Sequence, residues 1–396
     1  MKKTYVIIGA SAAGIGALNR LARLAPTDQI ICIAAQRTNP YNTCLLADYC
    51  AGKKPHAELS IFNPEKAPKN VVMKLGARVD ALDARAQQVF LSDGEVIVYD
   101  ALFMATGTTA IIPPIEGICD GQGVFTFHTM ADCQQIMDYR VQHSVTKAVV
   151  IGAGLTGLEC ADALAQHGVA VSVVEKQDRV LSHLVSPEGS TFIQKAMNTM
   201  GVEFYPGQTV TRVCVRDGCV SGVELGSGMF IEAELIIVAV GAQQNSELAR
   251  QAGIAVSAKG IVTDEYLRTS IDGIWAGGDG AQVMCAYTHT PVASCTWPDA
   301  MLQGLTTAHS MTGDLKRYQG ATRITDSAFF GLQFQAGGVP FGDAADDHVL
   351  NEKCEDLSVS AFLGERGRVI GYFACSKTEI SRSFKQALFG IIPYTF

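Results

Sequence analysis

The richest chemistry in the sequence lies in a glycine turn, Gly152-Ala153-Gly154-Leu155-Thr156-Gly157, set between a β-branched run at 148–151 and an apolar helical stretch reaching residue 167. In a strand–turn–helix unit the first glycine permits the tight turn and the second lets backbone approach a pyrophosphate. The third lets helix and strand pack closely, and the helix N-terminus offers unpaired N–H groups and partial positive charge to the phosphates. Glu175 closes the next β-branched run, 170–174, eighteen residues beyond Gly157. A carboxylate there accepts hydrogen bonds from a ribose 2′-hydroxyl and repels a 2′-phosphate, so the pattern predicts NADH in preference to NADPH. Lys176 and Arg179 follow closely and could soften that preference.

The same phrase opens the chain. Residues 5–8 read as a strand, Gly9-Ala10-Ser11-Ala12-Ala13-Gly14 as the turn, 15–24 as a helix and 30–34 as a second strand. Here Ser11 takes the middle glycine position, tolerable if its side chain turns away from the phosphates. The acid is missing, and Gln36 could bond a ribose without charge. Two such turns imply two dinucleotides.

The elements that must carry these turns follow from the apolar pattern. Continuous β-branched runs suit parallel strands buried on both faces, so each copy reads as a βαβ unit and the chain as an α/β protein. Strand-like stretches at 71–73, 88–91 and 96–99 lie between the copies, and Pro113-Pro114 breaks the chain before the second. A helix is expected from Pro298 to about residue 311, and 328–335 and 368–373 read as strands of a C-terminal segment. The expected organisation is two doubly wound nucleotide-binding domains and a small C-terminal α+β domain. The first domain is discontinuous, 1–112 with 242–312; the second spans 113–241 and the small one 313–396.

Composition narrows the class. The chain has 396 residues, 48% hydrophobic and 18% charged, which excludes a disordered chain and a small stapled scaffold. Its 31 basic and 39 acidic residues give a formal charge of −8 without a basic cluster, which argues against a nucleic-acid partner. Twelve cysteines at irregular spacing suggest neither a metal site nor a disulfide framework, so reduced thiols and a cytoplasmic location are expected. Lys2 and Lys3 before the apolar stretch 5–18 imitate a signal peptide, but Gly9, Gly14 and Gly16 within it fit a strand and phosphate loop better. No apolar run is long enough to span a membrane.

Five motifs, in order, resemble the FAD-dependent pyridine nucleotide-disulfide oxidoreductase family. After the first glycine turn come Tyr99-Asp100 with Ala105-Thr106-Gly107, then Gly241-Ala242-Gln243-Gln244-Asn245, similar to the return crossover with Gln244 where the family usually has proline. Thr269-Ser270 with Ile274-Trp275-Ala276-Gly277-Gly278-Asp279 resembles the second FAD motif, and Trp297-Pro298, Ala300, Gln303 and Gly304 match the helix after it. The resemblance implies FAD at Gly9, Ser11, Gly14, Gln36, Thr106, Gly107, Gly278 and Asp279. It implies nicotinamide cofactor at Gly152, Gly154, Gly157 and Glu175, with Gly241 at the crossover.

The electron acceptor is less constrained. Disulfide reductases of this family carry two cysteines five apart, whereas Cys44 and Cys50 are six apart. On a helix that is about 600° of rotation, so the thiols diverge by about 120°. Tyr41-Asn42-Thr43-Cys44 resembles the single-cysteine segment of coenzyme A-disulfide reductases and NADH oxidases, and also the segment of NADH:rubredoxin and nitrite-type reductases. Lys53 stands where disulfide reductases carry a lysine that reaches the flavin, and Glu159 corresponds to its carboxylate partner. His348 and Glu352 lack the reductases' His-Pro pattern and read as a surface pair. The short C-terminal segment departs from the disulfide-reductase pattern and leaves a homodimer open.

The expectation is an FAD-dependent NAD(P)H:acceptor oxidoreductase that passes hydride from NADH to flavin and electrons on to a small redox protein or oxygen. Alternatives are a single-cysteine disulfide reductase using Cys44 and a non-enzymatic, NADH-sensing flavoprotein.

Overall fold

The β-branched runs near each glycine turn become the central strands of two parallel sheets. In a computed structural model, describing residues 2–343, 349–353, 355–363, 369–378 and 380, the chain divides into two units. The first comprises Met1–Asn42, His56–Thr109 and Gln243–Ile324. Its sheet runs Ile274–Ala276, Ala101–Met104, Thr4–Ile8, Gln29–Ala34, Val71–Leu75, with every neighbouring pair parallel. Thr4–Ile8 is central, and Val6 and Ile7 are wholly buried, one on each face. Helix Ala12–Leu24 and helix Trp297–Met311 pack through small residues: a Cβ on Gly304 would meet the Ala13 carbonyl oxygen at 2.0 Å.

The second unit comprises Thr43–Pro55, Ala110–Ala242 and Thr325–Phe396, so residues 43–55 group with it rather than with the sequence around them. Its parallel sheet runs Glu203–Tyr205, Ala170–Val174, Lys147–Ile151, Leu235–Val238, Val124–Thr126. Helix Leu155–Gln166 follows the glycine turn.

The C-terminal part of this unit is a five-stranded antiparallel sheet in the order Thr325–Phe329, Leu332–Gly338, Val369–Ser376, Leu357–Leu363, Val349–Lys353. The stretch 328–335, read as one strand, is a hairpin turning at Phe330 and Gly331, whose φ angles are +52° and +73°. Two consecutive left-handed residues match the twist of a two-residue hairpin, and a phenylalanine there gives no turn signal. Residue 368, expected to open a later strand, lies outside the described residues, where the strand begins at Val369. This sheet covers helix Pro187–Thr199 at Gly189, where a Cβ would come within 2.2 Å of the Phe373 ring.

Candidate dinucleotide sites

In the second unit, two of the three turn glycines have a steric reason and the third lies open. Gly152 has φ +107° and a Cβ there would lie 2.4 Å from the Ala239 carbonyl oxygen. A Cβ on Gly157 would lie 2.1 Å from the Gly152 oxygen, so only glycine lets the helix approach the strand. Gly154, the N-cap, faces open space with no atom within 4 Å, and no side chain caps the helix. An open, uncapped helix N-terminus is what a pyrophosphate requires.

Glu175 stands beside this turn. Its carboxylate accepts the Ala153 N–H at 2.7 Å through one oxygen and the Gln177 N–H at 2.8 Å through the other. Two oxygens with about four lone-pair positions retain acceptor capacity for ribose hydroxyls. The residues therefore fit a nicotinamide dinucleotide: the turn N–H groups for its phosphates, Glu175 for its ribose.

The first unit shows the same steric logic despite its degenerate turn. A Cβ on Gly9 would lie 2.0 Å from the Ala105 oxygen, and one on Gly14 would lie 1.9 Å from the Gly9 oxygen. Ser11 is the N-cap of helix Ala12–Leu24, exposed, with no capping bond from its side chain, which leaves the first-turn donors for a phosphate. Gln36 is half-buried and its amide contacts the Thr38 carbonyl at 3.4 Å.

The remaining flavin candidates converge on that turn. Gly278 and Asp279 lie in the 3-10 turn Gly278–Gly280, and a Cβ on Gly278 would meet Ala13 at 3.0 Å. A Cβ on Gly280 would meet the Thr106 hydroxyl at 2.9 Å and the Gly107 oxygen at 3.0 Å. Gly9, Ser11, Gly14, Thr106, Gly107, Gly278 and Asp279 thus belong to one neighbourhood, suited to FAD.

Three residues given no site role in the sequence hold it together. Asn245 donates to the Thr106 carbonyl at 2.9 Å through its side chain and to the Gly107 carbonyl at 3.0 Å through its backbone. Gln303 accepts the Gly278 N–H at 2.7 Å. Asp299, wholly buried, accepts from the hydroxyls of Ser294, Thr296 and Thr322 and the backbone N–H groups of Thr322 and Arg323, at 2.5–3.1 Å. Asp299 stands in the first turn of helix Trp297–Met311, Gln303 midway along it, and Asn245 ahead of helix Glu247–Gln251.

The redox candidates Cys44, Lys53 and Glu159 all lie in the second unit. Cys44 is exposed in the 3-10 turn Thr43–Leu45, immediately before helix Leu46–Cys50. Cys50 is wholly buried, its sulfur 3.6 Å from that of Met137, and burial pushes its thiol up to about 12. One thiol is accessible and the other is core.

The expected Lys53–Glu159 pair is not formed: among the described residues no ion pair joins them. Lys53 is exposed, and its charge acts instead on Asp162. The Ser327 hydroxyl donates to Glu159. Burial pushes the Glu159 carboxyl up to about 7, partly opposed by the Ser327 hydrogen bond and reinforced by the Asp48 charge. Gly241 is exposed with φ +119°, and its carbonyl accepts from Ile111 N–H at 3.0 Å. His348 lies outside the described residues, and Glu352 lies in strand Val349–Lys353 rather than in a helix or loop.

A family profile described as pyridine nucleotide-disulphide oxidoreductase matches residues 3–304. The chain belongs to this family. Its relatives include a probable ferredoxin reductase, CtmF, of Castellaniella defragrans, 31% identical over 92% of this chain and 88% of that one. A rhodocoxin reductase of Rhodococcus erythropolis is 29% identical over 99% of this chain and 91% of its own length. Among solved structures, the covalent putidaredoxin reductase–putidaredoxin complex has TM-score 0.90 at 25% identity, over 98% of this chain and 93% of that one. Like these family members, the chain is an FAD-linked NAD(P)H:acceptor oxidoreductase with FAD- and NAD-binding domains and a smaller C-terminal domain. No helix among the described residues is long and apolar enough to cross a membrane.

Proposed function

We propose that this oxidoreductase takes hydride from NADH and delivers electrons from FAD directly to a small redox protein, without a dithiol relay. The separation of Cys44 from Cys50 carries the reading. A relay needs two thiols that can meet, and here the second is sealed in the core with its thiolate disfavoured. The ferredoxin- and rhodocoxin-reductase relatives and the putidaredoxin complex support a protein acceptor.

When bound, FAD supplies two-electron acceptance from a nicotinamide and one-electron donation to a partner. The chain's own residues supply binding and orientation. The uncapped N-terminus at Ser11 and the turn at Gly278 and Asp279 hold the flavin nucleotide, and Thr106 and Gly107 are kept in place by Asn245. The turn at Gly152, Gly154 and Gly157 holds the nicotinamide nucleotide's phosphates, and Glu175 its adenosine ribose. The described cysteines are all free, which supports a cytoplasmic setting.

A second reading keeps Cys44 as a lone nucleophile in a thiol-disulfide reaction, favoured by its exposure at the start of a helical segment. Cys44→Ser separates the two. Unchanged NADH-dependent reduction of a ferredoxin-type acceptor supports direct transfer, and loss of that turnover in a folded, flavin-loaded variant refutes it.

A further inference from the structure

We propose that Phe341, in the C-terminal part of the chain, is a specificity-determining residue for the nicotinamide cofactor. It holds Arg179 away from the position a 2′-phosphate would occupy. The inference rests on the reading of Glu175 as the ribose-binding carboxylate and explains why the cations beside it do not cancel its preference.

The loop after Glu175 is fixed at both ends. Leu181 N–H donates to the Ala153 carbonyl at 3.0 Å, the same residue whose N–H is held by Glu175. The Ser190 hydroxyl donates to the Val180 carbonyl at 2.6 Å. At the far end, Gly342 N–H donates to the His183 carbonyl at 2.8 Å, and the His183 ring stands 3.7 Å from Asp343. The 3-10 turn Phe341–Asp343 therefore docks on the cofactor-specificity loop.

Arg179 is committed inside that loop. Its guanidinium carbon lies 5.7 Å from the centre of the Phe341 ring, within cation–π range. One terminal nitrogen donates to Asp178 at 3.0 Å and the other to the Ser182 carbonyl at 3.0 Å. Its Nε is buried without a hydrogen-bond partner, so the side chain is held by the aromatic face and two terminal bonds rather than fully bonded. A released arginine of this reach, four residues beyond Glu175 in sequence, is the residue type that recognises phosphate by a bidentate fork. Withdrawing it leaves the Glu175 carboxylate to repel a 2′-phosphate unopposed. Lys176, exposed, is a hydrated point charge and a weaker substitute.

The test measures binding of ADP-ribose and 2′-phospho-ADP-ribose to the flavin-loaded protein by calorimetry. It compares wild type, Phe341→Ala, Phe341→Leu and Phe341→Ala combined with Arg179→Ala. Wild type should favour ADP-ribose. Both single Phe341 variants should narrow that preference about tenfold, mainly through tighter binding of the phosphorylated ligand, and the narrowing should shrink at high salt. The combined variant should restore the wild-type ratio. Phe341→Leu keeps apolar volume, so it reports even if Phe341→Ala fails to fold. An unchanged ratio in Phe341→Leu, or a narrowed ratio that persists without Arg179, overturns the role of Phe341 while leaving Glu175 intact. A wild type that itself favours the phosphorylated ligand overturns the Glu175 reading and this inference together.

Discussion

The Glu175 carboxylate accepts the backbone N–H of Ala153 at 2.7 Å, tying the end of one strand to the glycine turn of another. One side chain thus shapes the turn and, in the proposed function, also binds the ribose. Glu175→Ala should therefore weaken NADH more than it weakens NADPH, lowering the ratio of their kcat/KM values by at least about tenfold. Steady-state kinetics with both cofactors check this; an unchanged ratio would contradict it.

Gly154 and Gly157 differ in what an added methyl would meet. At Gly157 it would lie 2.1 Å from a carbonyl oxygen, so Gly157→Ala should destabilise the fold by about 2 kcal/mol or more. At Gly154 it enters open space, so Gly154→Ala should keep the wild-type Tm yet weaken NADH binding by crowding the phosphates. Thermal unfolding and NADH titration together separate the two effects.

Asp299 accepts five hydrogen bonds from two loop segments while wholly buried. Asp299→Ala strands these donors, at a cost of about 3 kcal/mol or more. Asp299→Asn keeps one acceptor oxygen and should lose less. Denaturant unfolding of the flavin-loaded protein should rank them in that order.

Glu159 gives the fold a pH dependence. Its folded-state value, about 7, lies above the ordinary carboxyl value of 4.5. The folded chain therefore holds a proton that the unfolded chain has released. The resulting stabilisation is fully present below about pH 4.5 and is lost as pH rises through about 7. Glu159→Gln removes this dependence, so its Tm relative to wild type should climb between pH 5 and pH 8. A constant difference across that range would contradict the shifted carboxyl.

Local geometry is what the sequence made legible. Gly14 and Gly157 answer requirements set within a single strand–turn–helix unit, each facing the oxygen of the glycine five residues before it, and so the turns can be recognised from spacing alone. Glu159 shows the limit. Its partner, Ser327, is 168 residues away on the C-terminal sheet, and nothing in either local pattern points to the other. Family spacing pointed to Lys53 instead, an exposed residue whose charge acts on Asp162. Gln303 reaching Gly278, and Asp299 gathering donors from 294–296 and 322–323, are likewise products of packing. The hairpin at 330–331 was hidden because Phe330 takes a left-handed conformation usually left to glycine or asparagine.

The central claim, that one chain couples a nicotinamide to a flavin without a second redox centre, is tested most directly by anaerobic NADH titration of the flavin-loaded protein. Loss of the flavin's visible absorbance at one NADH per FAD, then its return when an oxidised ferredoxin-type protein is added, is the predicted result. A flavin that NADH leaves oxidised would contradict the coupling. Uptake of two NADH per FAD would contradict the absence of a further centre.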